Sequence, residues 1–502
     1  MNAAVPAATP FWATPRGVHL IAGLYFLIFA LIATTLHSAL GVDDALENYN
    51  AQSWAISYSP RNPPLYDWLL LILQKLLGTG AAGFAALNYG ALFATAMVFY
   101  RVAQRVISDP RLQALSIYAF SLLWDIGHES HRILTHSNLM ILAIAATVLI
   151  MLMLAEKRTL GRYAALGVVA ALGMLSKFGF VAFAATAFAA ALCVPAYRRV
   201  VLDPRIVVSI GVAGAPLIVF YLAALGVHES IAGAATRYLS PDESASLFGR
   251  LSVLARAYLG YVLPLALFAA LVFFVRPRRA AEPAAEEQAD FRRFAGWQIV
   301  FGSLVAVAWV MVLGSTQVRP RYFHALLLLF PIFLFATVQT IAWTQRQARV
   351  FLGIAAATAL LIMAEQTIAR LAPSETLCGT CRISIPYDRL GDAIVARVGE
   401  APVIVAPDPI IAGQMRAAVP GARVVSLEPA PYRPPPRPAG ACLMVWSPED
   451  GDVEGRIAPG DTLDEETLEV VTVAWFQPLL SDPPRRTSWT MLRLAPDSEP
   501  CR

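Results

Sequence analysis

The chain alternates long apolar runs with short polar interruptions from residue 15 to residue 370. A helix needs about 20 apolar residues to cross the hydrocarbon core of a bilayer. By that measure about eleven runs qualify as spans. Their centres fall near Phe26, Phe93, Tyr118, Ala145, Leu166, Thr186, Ile218, Phe268, Val307, Phe330 and Thr358. The pattern predicts a mainly α, polytopic membrane protein. Gly17–Leu40 is longer than the apolar core of a signal peptide and lacks a clear cleavage site, so it reads as the first span.

The interruptions fall into two alternating classes. Arg101–Arg111, Glu156–Arg162, Tyr197–Arg205, Arg276–Arg293 and Gln345–Arg349 are basic and plain. Gly41–Gly80, Asp125–His136, His228–Arg250 and Ser315–Phe323 carry His, Asp, Glu, Asn and aromatic residues, and the turn at Lys177 falls with them. The positive-inside rule makes the first class cytoplasmic and the second outward. Arg16 then places the N-terminus in the cytoplasm, and an odd number of spans places the C-terminal part outside. No internal repeat is visible, which leans against transporters built from inverted repeats.

At Pro373 the pattern changes. Val403–Ala406, Arg423–Leu427, Ala441–Trp446, Leu468–Trp475 and Ser488–Leu494 read as strands, and Asp388–Val398 and Ile411–Val419 as helices. The expected organisation is a membrane domain over residues 1–372, with an outward first loop at 41–80, and a small outward-facing α/β domain over 373–502. Tyr432–Pro438 reads as an extended Pro-rich spacer.

Composition agrees. The chain has 502 residues, of which 57% are hydrophobic and 15% charged, where soluble domains carry roughly 25% charged residues. The net charge of +4 is spread over short loops, which excludes a nucleic-acid-binding face. Cys378-Gly-Thr-Cys381 is a lone CxxC without the second pair that structural zinc needs, and suits a local disulfide in an oxidising compartment. Cys193 reads as a small core residue.

Candidate chemistry collects in the outward class. Gly41–Trp68 carries Asp43, Asp44 and, one helical turn on, Glu47, followed by aromatic residues including Tyr58 and a stiff Arg61-Asn62-Pro63-Pro64. Carboxylates at the mouth of a membrane helix are costly unless they meet water, a metal or a cation. In WDIGHESHRILTHSN, His128, Glu129 and His131 offer nitrogen and oxygen ligands for a divalent metal ion, with Asp125, Arg132 and His136 beside them. The alternative there is a polar loop lid. Lys177 stands alone in apolar ALGMLSKFGF, either snorkelling to the interface or anchoring a phosphate. Arg319 and Arg321 in QVRPRYFH break the positive-inside pattern, and Arg suits bidentate phosphate binding.

Three stretches carry a resemblance. Asp43-Asp44 followed by YSPRNPPLYDWL, then GRYAALGVVAALGMLSKFGFVAFA at Gly161–Ala184, then RPRYFHALLLLFPIFLF at Arg319–Phe335, are similar in order and spacing to motifs of the GT-C membrane glycosyltransferases. The chain resembles the bacterial members related to protein O-mannosyltransferases and to the aminoarabinose transferase of lipid A. Two positions depart from the pattern: His136 stands where many relatives have an acidic residue, and Ala325 replaces a late proline. The resemblance implies an inverting transferase of the bacterial inner membrane, with its C-terminal domain in the periplasm, that moves a monosaccharide from a polyprenyl-phosphate donor to an acceptor hydroxyl on a lipid, glycan or protein at the periplasmic face. Asp43 or Asp44 would be the base. Lys177, Arg321, Arg319 and Arg61 would hold the donor phosphate, and Glu47, Tyr58, His131, Arg132 and His136 would line the cavity. A lipid or solute transporter, or a non-catalytic envelope assembly subunit, are the competing readings of the same charges.

Overall fold

The structure is a computed structural model. It describes residues 8–36, 39–132, 135–225, 246–275, 285–313, 318–373, 381–436, 441–447, 468–475, 485–495, 498 and 501. The chain divides into two compact units. One holds Met1–Leu27, Pro60–Pro63 and Gly90–Ile362; the other holds Ile28–Ser59, Pro64–Tyr89 and Met363–Arg502. Of the stretch 41–80, all but Pro60–Pro63 therefore groups with the C-terminal α/β part.

Among the described residues seven helices are long and apolar enough to cross a membrane: Pro15–Thr35, Ala81–Val106, His136–Glu156, Ile206–Leu225, Leu247–Phe274, Glu286–Val312 and Gln345–Leu371. An eighth is broken, Pro320–Leu327 joined to Phe330–Val338 with a bend of 55°. Of the expected eleven runs, seven or eight are full-length spans among the described residues. The runs centred on Leu166 and Thr186 form shorter apolar helices, Leu160–Ser176 and Phe180–Cys193. The run at Tyr118 is a nine-residue helix, Pro110–Tyr118, passing into a 3-10 turn. Length distinguishes these from the long spans, because hydropathy alone does not register where a helix stops.

Local chemistry sets the helix starts. Asp109 caps the Pro110–Tyr118 helix by accepting from the Arg111 backbone N–H, with proline at the first helical position. Thr159 accepts from the Arg162 N–H and Ser246 from the Gly249 N–H in the same way. Small residues allow close helix contact: a side chain at Gly167 would meet the Ser209 carbonyl, and one at Gly302 the Leu326 carbonyl. The basic loops meet one another, through Arg105–Glu156 at 2.7 Å, Arg158–Asp203 at 3.2 Å and Ser108 N–H donating to Gln339. Cys193 ends its helix exposed rather than in a core.

In the other unit, five strands form one sheet: β1 Val403–Ala406, β2 Arg423–Ser426, β3 Cys442–Trp446, β4 Leu468–Ala474 and β5 Arg486–Leu494. The order is β2-β1-β3-β5-β4, with β1 parallel to β2 and β3, and the β3–β5 and β5–β4 pairs antiparallel. The parallel β1–β2 pair needs a crossover, and Pro409–Ala418 supplies it, capped by Asp408. Side chains alternate between the two faces. Ile404, Ala406, Val424, Leu443, Val445 and Met491 pack with Tyr49, Tyr58 and Tyr432. Val403, Val405, Val425 and Met444 pack on the other face over a Cys442–Cys501 disulfide. The Cys378–Cys381 expectation falls partly outside the described residues, as do residues 228–245 of the third outward loop and the end of the Pro-rich stretch.

Candidate active site

The acidic stretch folds as a helix, Val42–Asn50, with Asp43 and Asp44 in its first turn. Negative charge is favoured there by the exposed backbone N–H groups. One turn on, Glu47 is buried, and accepts from Asn50 Nδ2 at 2.9 Å. The Glu47 carboxyl bonds the buried carboxyl of Asp67, from the Leu65–Leu77 helix, whose Oδ1 has no partner among the described residues. Burial holds Asp67 protonated well above the usual carboxylate range, and the Glu47 charge adds to this. Asp44 is pushed up to about 8, first by desolvation, then by Asp43 and Glu47. Asn88 bonds the Asp44 carboxyl and at its own Oδ1 accepts from the Tyr66 hydroxyl at 3.0 Å. The result is a hydrogen-bonded carboxylate cluster in which Glu47 and Asp67 are buried and Asp44, half-buried, is pushed up to about 8.

The Val42–Asn50 helix is held by the crossover helix Pro409–Ala418. Arg416 Nη1 donates to Asn48 O at 2.7 Å, Asn48 Oδ1 at 2.8 Å and Gln74 Oε1 at 2.8 Å, and its Nη2 donates to Ala51 O at 2.8 Å. Burial lowers the Arg416 pKa to about 10. Asn48 Nδ2 donates to Gly413 O, and Gln414 pairs with both backbone groups of Leu40. Neither Asp67 nor Arg416 was marked as functional in the sequence. Asp67 sits in the quoted PPLYDW segment, so its signal was present; Arg416 lies hundreds of residues away and had none.

In the membrane-helix unit a second polar cluster forms. Lys177 caps the Leu160–Ser176 helix, half-buried, and donates to Ser137 Oγ at 2.7 Å. Arg321 lies in a 3-10 turn, Pro320–Phe323. Lys177 and Arg321 both act electrostatically on the His324 ring, which is completely buried. Arg321 also faces Asp125 and Glu129. Desolvation and the Glu129 charge push Asp125 up to about 7, against the opposing pull of Arg321 and His128. Glu129 is held low, chiefly by its 2.8 Å hydrogen bond with His128 Nδ1.

Residues 61–223 match the family model of the dolichyl-phosphate-mannose-protein mannosyltransferases. The lipopolysaccharide core galacturonosyltransferases RgtA and RgtB of Rhizobium johnstonii are similar. RgtA is 24% identical over 443 residues, 86% of this chain and 87% of its own. RgtB is 22% identical over 435 residues, covering 85% and 86%. Among solved structures, ArnT from Cupriavidus metallidurans bound to undecaprenyl phosphate aligns at a TM-score of 0.60 and 13% identity, over 95% of this chain and 98% of that one. The chain has the GT-C fold and is a glycosyltransferase.

Several expected site residues of the transferase take other places. Tyr58 is a core residue, not a cavity wall: its hydroxyl donates to Ser53 O at 2.7 Å and its ring packs edge-on against Tyr432. Arg61 and Arg319 are exposed, and neither is drawn into the cluster around His324. His128, Glu129 and His131 do not converge on one metal position among the described residues. His128 turns its Nδ1 to Glu129 and stacks on Trp124, while His131 Nε2 bonds the Tyr25 hydroxyl at 3.0 Å. Adjacent residues on short 3-10 and α turns point in different directions, which spacing along the chain could not reveal. Arg132 is exposed, 4.0 Å from Glu129. His136 is buried at the start of His136–Glu156.

Proposed function

We propose that the enzyme transfers one sugar from a polyprenyl-phosphate donor to a hydroxyl of the lipopolysaccharide core or lipid A, on the periplasmic face of the bacterial inner membrane, with inversion. The observation that carries this reading is the gathering of Lys177 and Arg321 about one buried imidazole. Two cations beside a buried imidazole suit a phosphate whose negative charge grows as it departs. The likeness to RgtA and RgtB over most of the chain supports galacturonic acid as the sugar and the core as the acceptor.

The reaction requires a base. Asp44 is the choice, since a group titrating near the working pH can both take and release a proton. Its ionised carboxylate takes the acceptor hydroxyl proton while that oxygen attacks the anomeric carbon. The bond from that carbon to the phosphate oxygen breaks, and the lipid phosphate leaves with the electron pair. Asp43, in the same helical turn, is the alternative base. Asn88 and the Tyr66 hydroxyl orient Asp44, and the Glu47–Asp67 pair keeps negative charge beside it.

Mass spectrometry of lipid A, core glycan and envelope glycoproteins tests the proposal. The strains are wild type, a deletion, and the deletion carrying Asp44→Asn or Asp43→Asn. One sugar absent from the deletion and from the Asp44→Asn strain names the sugar and acceptor and assigns the base. An unchanged glycan profile in the deletion overturns the proposal in favour of transport.

A further inference from the structure

His324 lies at the broken span and belongs to none of the roles assigned above. Its residue is 0% exposed. Nδ1 lies 3.2 Å from the hydroxyl of Tyr261, itself fully buried on the Leu247–Ala269 helix. Nε2 has no hydrogen-bond partner among the described residues. Buried nitrogens are nearly always paired, and an exception calls for an explanation.

The tautomer follows from Tyr261. Its hydroxyl has His324 Nδ1 as its one hydrogen-bond partner among the described residues. The arrangement that uses the phenolic hydrogen has Tyr261 donating to Nδ1, which leaves the hydrogen of the ring on Nε2. The unpaired atom is then a donor in need of an acceptor. Lys177 and Arg321, both acting electrostatically on this ring, select that acceptor's charge: an anion is favoured.

We propose that His324 Nε2–H donates to an oxygen of the donor lipid's phosphate, the group whose charge Lys177 and Arg321 offset. Tyr261 is the positioning residue that fixes which nitrogen carries the hydrogen. This rests on the reading of Lys177 and Arg321 as phosphate ligands. An imidazole contributes direction where the two cations contribute charge, so the phosphate is held in one orientation as it leaves.

The experiment measures binding of undecaprenyl phosphate to purified full-length protein in detergent, with KM and kcat for the lipid-linked donor. The variants are Lys177→Met, His324→Phe, His324→Gln and Tyr261→Phe. His324→Phe is expected to weaken binding about tenfold, the loss of one hydrogen bond to a charged group. It raises KM more than it lowers kcat. His324→Gln, which keeps an N–H, returns affinity to within about threefold of wild type, and Tyr261→Phe weakens it severalfold. If Lys177→Met weakens binding and His324→Phe does not, the His324 assignment is wrong while the phosphate site stands. If neither weakens it, or the wild type does not bind, the phosphate site itself is wrong and the assignment goes with it. Should His324→Phe not fold, Tyr261→Phe decides, and unchanged affinity there overturns the proposal.

Discussion

A side chain on Gly413 would overlap the carbonyl group of Ala45, so the two helices Val42–Asn50 and Pro409–Ala418 touch backbone to backbone. The acidic helix is thus seated on the crossover helix of the C-terminal sheet. Gly413→Val should force them apart, lowering the melting temperature in detergent and abolishing sugar transfer. Gly211→Ala, at a glycine with open space around it, is the control and should be silent.

Arg416 closes the same contact with hydrogen bonds to Asn48, Ala51 and Gln74. Arg416→Met removes the buried charge but leaves those acceptors unsatisfied, at a cost of about 3 kcal/mol or more. Chemical denaturation of the detergent-solubilised protein should show that loss. The kcat should fall further than KM rises, because the acidic helix, not the donor site, loses its seat.

Asp44, pushed up to about 8, fixes the pH profile. If it acts as base it must be ionised, so kcat/KM should rise about tenfold per pH unit up to about 8 and level off above. Stability runs the other way. The folded protein holds the Asp44 proton after the unfolded chain has lost its own, so this group's contribution is full below pH 4 and is lost as pH rises toward 8. Asp44→Asn should therefore be inactive yet more stable than wild type at pH 7, by a few kcal/mol, with the difference vanishing near pH 4. Melting curves at the two pH values check this.

Asp125 titrates at about 7 with Glu129, His128 and Arg321 around it. As pH rises through 7 its new negative charge opposes an anion at Arg321, so donor KM should increase. Asp125→Asn should remove that increase, leaving the remaining pH dependence to Asp44. Donor KM measured from pH 6 to pH 8 separates the two.

Cys442 and Cys501 join β3 to the chain's end across 59 residues. Closing a loop of that size restricts the unfolded chain by about 4 kcal/mol in the entropic account. Cys442→Ser should lower the unfolding midpoint of the sheet-bearing unit. Reducing agent should do the same to the wild type.

The sequence by itself determined the membrane class, the two kinds of loop and the five strands with their two helices. All of these are periodic or compositional, and each is written in neighbouring residues. Val403–Ala406 matches its expected bounds, and the other strands differ by a residue or two at an end. It also pointed to Asp43, Asp44, Lys177 and Arg321, because a charge in an apolar setting stands out wherever it lies. Only the tertiary structure decided what those charges meet. Asp44 gains its raised pKa from desolvation and from the charges of Asp43 and Glu47, against the bond to Asn88. Arg416 reaches Asn48 from the far end of the chain. Tyr58 became core, and the three candidate metal ligands turned apart. Burial, desolvation and hydrogen-bond direction are properties of groups brought together across hundreds of residues, and no local pattern encodes them.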